Sequence, residues 1–158
     1  RLSYMLIFAF LVLHEIGAHY TYAEVPYDEW FRAWTGRTLN ERLGWERNHY
    51  DRLGHFAQGF IPAILAREIL VRTSPLRGSR WLPFVVVAFC LAFSAFYEMI
   101  EWWTAVLAGA SSTAFLGTQG DVWDTQWDMF LALIGAVSAL LVLSRAHDRQ
   151  LARLLPGR

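Results

Sequence analysis

Lysine is absent from this chain. All 14 basic residues are arginine, which reads as a coding bias with no mechanism attached. Cysteine is nearly absent too. Cys90 stands alone inside an apolar run, which excludes an intramolecular disulfide and a thiolate metal cluster and reads as a buried, inert thiol. Charge is scarce. Charged residues make up 18% of the chain, against roughly 25% in typical soluble proteins. The 14 basic and 14 acidic residues cancel to +0, so no global field selects nucleic acid or an acidic partner.

What the chain has is apolar mass: 55% of its 158 residues are hydrophobic and 16% are aromatic. That length suggests one domain. About 20 apolar residues cross a bilayer as a helix, and four stretches qualify: residues 2–19, 52–71, 81–107 and 127–143. The second is the most polar, with Arg67 and Glu68 near its end and Pro62 at a position that can kink it. Residues 27–35 are too short and polar to span. Trp30, Phe31 and Trp34 still share one helical face, which fits a helix lying in the membrane interface. The sequence therefore predicts an all-α, polytopic membrane helical bundle with about four transmembrane helices and a short interfacial helix. Residues 1–158 read as a single integral membrane domain. The lipid bilayer is its first partner. A membrane-protein partner or a second copy stays open.

Arginine sets the expected orientation. Arg72, Arg77 and Arg80 fill the second connection, and Arg145, Arg149, Arg153 and Arg158 fill the tail, whereas residues 108–126 hold no arginine. The positive-inside rule places both ends of the chain in the cytoplasm and residues 108–126 outside. Arg32, Arg37, Arg42 and Arg47 in the first outer segment argue mildly the other way, but they interleave with Asp28, Glu29, Glu41 and Glu46. The chain opens at Arg1, already close to an apolar run, which reads as a fragment or processed numbering rather than a signal peptide.

With that topology, the ionisable residues converge. Glu15, His19 and Tyr22 share a face at the outer end of the first span, at about 100° per residue. Asp51 and His55 pair at the start of the second, Glu98 and Glu101 lie one turn apart in the third, and Asp121, Asp124 and Asp128 share a face of the fourth. Glu98 lies 17 residues into its span, roughly 25 Å at 1.5 Å per residue, and so in the outer half. Carboxylates and imidazoles at these spacings on facing helices are how bundles build metal sites. Glu15, His19, Asp51, His55, Glu98, Glu101, Asp124 and Asp128 are the candidate ligands of a divalent ion. The donor types suit Zn, Mn or Fe. A bound cation, or a shared proton, would also relieve repulsion between Glu98 and Glu101.

Plainer readings compete. Asp51, Asp121 and Asp124 stand where helices start and can cap them. His14, His19 and His55 can be packing residues, and His49 reads as a loop residue. His147 and Asp148 read as a solvated tail. The loop Phe115–Asp124, with freedom at Gly117 and Gly120, can bind an anion or simply turn the chain.

The runs His19-Tyr20-Thr21-Tyr22-Ala23-Glu24-Val25-Pro26, Asn48-His49-Tyr50-Asp51-Arg52, Tyr97-Glu98 through Trp102, and Gly117-Thr118-Gln119-Gly120-Asp121-Val122-Trp123-Asp124 resemble the YjdF-type bacterial inner-membrane proteins. The resemblance spans most of the chain. It implies a polytopic protein of the bacterial inner (plasma) membrane and carries over no activity. It also implies a further N-terminal hydrophobic span, since family members tend to have one in addition to those seen here. The residues themselves lead to a small membrane protein with a metal site near its outer face, hydrolytic or redox in character. The rival readings are an accessory subunit of a larger membrane complex, and a transporter or proton relay working through Glu98 and Glu101.

Overall fold

The computed structural model describes residues 2–108 and 119–154. Six helices follow in order: α1 (Leu2–His19), α2 (Tyr27–Thr35), α3 (Leu39–Leu43), α4 (Tyr50–Thr73), α5 (Trp81–Ala108) and α6 (Asp124–Leu154). The described residues contain no strand. Helices α1, α5 and α6 are long and apolar enough to cross a membrane. Their outward faces carry exposed Phe8, Leu11, Phe84, Phe89, Phe93, Leu141 and Val142, as lipid contact requires.

Helix α4 is the more polar span expected at 52–71, and its position explains why it tolerates polarity. It packs against α1, α5 and α6 together. Asp51, His55, Gln58 and Arg67 are buried by those neighbours instead of meeting lipid. It runs unbroken through Pro62.

Small residues set the tightest contact. A Cβ on Gly59 would land on the carbonyl of Ala132, and one on Gly135 would meet the backbone of Phe56 and Phe60. Ala63 and Ala66 on α4, and Ala136 and Ala139 on α6, extend the same seam. Small side chains of this kind let membrane helices meet backbone to backbone. The two helices are parallel. His55 faces Asp128 near one end, while Arg67 meets His147 and Asp148 near the other. Helix α1 runs the opposite way, since Ser3 bonds Glu68 and the Leu13 carbonyl accepts from Tyr50. Helix α5 does likewise, with Val86 beside Ala63 in the core and Glu98 beside His55.

The residues between α1 and α4 form a lobe over one end of the bundle. Helix α2 is the expected short helix, with Trp30 and Trp34 exposed. Helix α3 starts with a capping box between Thr38 and Glu41. Asp28 ties the two by accepting from the Leu39 and Asn40 amides.

At the opposite end the structure corrects the solvated-tail reading. Helix α6 continues to Leu154, beyond the expected end at 143, and carries His147 into the bundle, where it is 1% exposed. Arg67 donates to its Nδ1 at 3.1 Å, so its proton sits on Nε2 and points at Glu68, 3.3 Å away. Ser3 donates to the same carboxylate at 2.6 Å, and Asp148 pairs with Arg67 at 2.6 Å. The apolar run of α6 ends before His147, so hydropathy alone places it outside. Between the two polar ends lies a buried apolar layer that includes Ala63, Ile64, Val86, Cys90, Ala136 and Ala139.

Candidate functional site

The seam between α4 and α6 also builds the polar cluster. Four residues before Gly59 comes His55, and four before Ala132 comes Asp128. Because the helices are parallel and touch at Gly59 and Ala132, one turn back along each brings the imidazole to the carboxylate. His55 Nε2 lies 3.7 Å from Asp128 Oδ2 and 3.4 Å from Asp51 Oδ1, which stands one turn earlier on α4. His55 Nδ1 faces the other way, 3.8 Å from Glu98 Oε1 on α5. All four residues are at least nine-tenths buried: Asp128 is 2% exposed, His55 6%, and Asp51 and Glu98 8% each.

Hydrogen bonding does not satisfy them. Asp51 Oδ2, His55 Nδ1, Glu98 Oε1 and Asp128 Oδ1 are buried without a partner. One ligand atom each from Asp51, His55 and Asp128 lies within 4.8 Å of the others, a span one cation can bridge. An unsatisfied buried polar atom costs on the order of 1–3 kcal/mol, more if charged, so the four atoms on the two sides of the His55 ring are left in need of partners.

Arg47 serves the outer part of the cluster. It comes from the lobe, bonds Asp124 and Asp121 at 3.2 Å each, and stands 3.9 Å from Asp51. Arg52 holds Asp121 at 2.7 Å and lies over the Trp127 ring. Asn48 and Gln119 exchange two hydrogen bonds across the same junction. Gln119 and Gly120 adopt left-handed backbone, as the expected turn at Gly120 requires. Residues 115–118 of that loop lie outside the described residues. Charge remains unbalanced. Asp51, Asp121, Asp124, Asp128, Glu98 and Glu101 face two guanidiniums and one imidazole.

A cavity of about 230 Å³ opens on the α1 and α5 side of His55. Asp51, His55 and Gln58 form one wall, Tyr97 and Glu101 another, and His14, Thr21 and Tyr22 the third. Thr21 and Tyr22 both have positive φ, near 55°, a conformation non-glycine residues rarely adopt. This turn folds Tyr22 back over Gly17, where any side chain would collide with its ring. Burial, then Tyr97 and Asp51 nearby, holds the Tyr22 phenol above its ordinary range, so it stays protonated. His49, on the lobe side, is lowered by burial and by Arg52 and Arg47.

The structure thus brings Asp51, His55, Glu98 and Asp128 into contact, with Glu101 on the cavity and Asp124 drawn to Arg47. It does not bring in Glu15 or His19, which are exposed on α1. His14 occupies the position those two were expected to fill. Helix α1 is apolar on nearly every side, so its sequence gives no pattern for choosing the inward face. Arg47 was read only as an orientation signal. Its partners are 74 and 77 residues away in the chain, and no local spacing points to them.

A family model described as "Predicted membrane protein (DUF2238)" matches residues 1–149. "Inner membrane protein YjdF" of Escherichia coli (strain K12) is 50% identical over 152 residues, covering 96% of this chain and 69% of that protein. No solved structure matches.

Proposed function

The chain belongs to this family of membrane proteins (DUF2238), and from that premise we propose that it is an inner-membrane metalloprotein whose divalent ion is held by His55 Nε2, Asp51 and Asp128. The observation that carries the reading is the set of four buried, unpartnered polar atoms around His55. Three protein ligands would leave a fourth position for water, the pattern of catalytic zinc sites. That position would lie beside the cavity, whose wall includes Asp51 and His55. Glu98 would then position His55 through Nδ1, the carboxylate–histidine–metal arrangement that fixes a ligand's tautomer. The donor set suits Zn, Mn or Fe. A metal-bound water facing this cavity would support hydrolytic chemistry in particular.

Orientation rests on arginine. The connection bearing Arg72, Arg77 and Arg80 and the Arg-rich part of α6 lie at the same end of the bundle, joined by Arg67 and Asp148. By the positive-inside rule that end is cytoplasmic and the cluster lies on the outer side.

A network without metal is the second reading, favoured by Arg47 and Arg52, which already pair with Asp121 and Asp124. On that reading the protein is an accessory subunit. Elemental analysis of gently solubilised protein, before and after adding Zn, Mn or Fe, separates the two. The metal reading expects at least one ion per chain, lost in Asp128→Asn, and a lower melting temperature in chelator. Absence of any ion bound at micromolar affinity, with no chelator effect, leaves the network reading.

A further inference from the structure

At the arginine-rich end of the bundle a groove of about 650 Å³ opens between the end of α4, the start of α5 and the last turns of α6. Arg67, Arg77 and Ser144 line its polar part, and Pro83, Leu140 and Leu141 its apolar part. Along α6, Leu140 lies one turn nearer the middle of the bundle than Ser144, so polar and apolar parts follow one another along the helix axis. Leu141 and Val142 are exposed, which carries the apolar part out onto the lipid-facing surface. Trp81 marks the level of the polar part. It is exposed at the start of α5, with its amide donating to Ser79 on the rim, and tryptophan so placed sits at the depth of lipid headgroups. Charge at this end is one-sided. Arg67, Arg72, Arg77, Arg80, Arg145, Arg149 and Arg153 gather there against Glu68 and Asp148. Arg72 already holds Glu68 at 2.7 Å and Arg67 holds Asp148 at 2.6 Å, so the described residues leave this end positive.

We propose that this groove seats one anionic phospholipid, with its phosphate at Arg67 and Arg77 and an acyl chain along Pro83, Leu140 and Leu141. The site is independent of the metal reading at the other end. Basic pockets between membrane helices hold anionic headgroups in this way. A guanidinium offers its N–H donors in a plane that matches phosphate oxygens. Arg67 is fixed for the task by its bonds to His147 and Asp148, and that pairing also blunts the repulsion Asp148 would exert on a phosphate. The order of polar and apolar lining matches the order of headgroup and chain in a lipid standing in the bilayer. A second copy of the chain is a poorer occupant, because a symmetric pair sets this arginine-rich end against itself.

The test uses the full chain in nanodiscs of mixed phosphatidylglycerol and phosphatidylcholine with matched acyl chains, read by native mass spectrometry of the lipid retained on release. Wild type is expected to keep phosphatidylglycerol in preference to phosphatidylcholine. Arg77→Gln should weaken that retention about fivefold, roughly what one basic group contributes beside an anionic headgroup. Arg145→Gln removes the same charge from the same end but outside the groove, and should leave retention as in wild type. Ser144→Phe places a ring in the groove and should abolish the preference. Equal retention of the two lipids by wild type overturns the site, and so does a preference that survives Ser144→Phe. Equal behaviour of Arg77→Gln and Arg145→Gln would mean attraction to the whole charged end, and also overturns it. The two arginine variants need no repacking, so a misfolded Ser144→Phe protein leaves the result decisive.

Discussion

Gly59 of α4 lies against the carbonyl of Ala132 in α6, and this contact sets the distance between His55 and Asp128 one turn away. Gly59→Ala puts a methyl where backbone already stands, so the helices must part. Overpacking of this kind costs about 1–3 kcal/mol. The expected outcome is a lower melting temperature and, on the metal reading, loss of the ion. Gly54→Ala is the control, because its Cβ would meet Tyr22 at an ordinary 3.5 Å. Equal effects of the two substitutions would show that the seam does not govern the cluster.

How much of this was legible in the sequence depends on which residues carry local pattern. Helices α1, α5 and α6 announced themselves by apolar length, α2 by its aromatic face, and Asp51 with His55 by i, i+4 spacing beside a start signal, whereas nothing was read at α3. Convergence at one end followed from alternating helix direction, and the structure places Asp51, His55, Glu98 and Asp128 together there. The inward face of α1 was not legible, since a helix in lipid is apolar all round and has no polar face to mark its outside. That is why Glu15 and His19 were read for His14. Arg47 and His147 were hidden for a different reason. Their partners are remote in the chain, and charged residues in a loop and beyond an apolar run look like solvated ones.

Topology is checked by thiol labelling. In a Cys90→Ala background, Val122→Cys at the cluster end and Thr73→Cys at the arginine-rich end are both exposed positions. In intact cells an impermeant maleimide should label position 122 and spare 73 until the membrane is opened. The reverse pattern would turn the protein over and put the cluster in the cytoplasm.

Arg47 ties the lobe to the bundle through Asp121 and Asp124. Arg47→Gln removes the cation from a part-buried acidic group, and losing hydrogen bonds to charged partners costs about 2 kcal/mol. Amide exchange across residues 39–50 and 119–124 should quicken. Arg47→Lys should recover only part, because an ammonium cannot fork between two carboxylates. Unchanged exchange in Arg47→Gln would show that Asn48 and Gln119 hold the lobe without it.

His49 makes the lobe sensitive to acid. Burial, Arg52 and Arg47 lower its folded pKa below the ordinary 6.5. The unfolded lobe then binds more protons between the two values, so stability rises with pH. Its contribution is whole above about pH 6.5 and falls away as pH drops toward the lowered value. Protection factors in residues 39–50, corrected for intrinsic exchange, should fall on acidification, and fall less in His49→Gln. An identical pH response in that variant would place the sensitivity elsewhere.

The two polar ends should behave as separate units. From His55 to Arg67 is 12 residues of α4, roughly 18 Å, and the layer between them is Ala63, Ile64, Val86, Cys90, Ala136 and Ala139. A proton relay needs polar groups along that path, and the side chains of this layer are apolar apart from the Cys90 thiol. His147→Leu breaks the bonds from Arg67 and to Glu68, which also anchors Ser3 at the start of α1. The expected result is faster amide exchange in the first turns of α1 and the last turns of α6. Metal content and the exchange of residues 47–58 should stay as in wild type, since sites this far apart without shared partners act additively. If His147→Leu instead lowers metal occupancy at the far end, the ends are coupled through the bundle. The two ends would then not act as separate units, and the layer between them would have to carry the coupling.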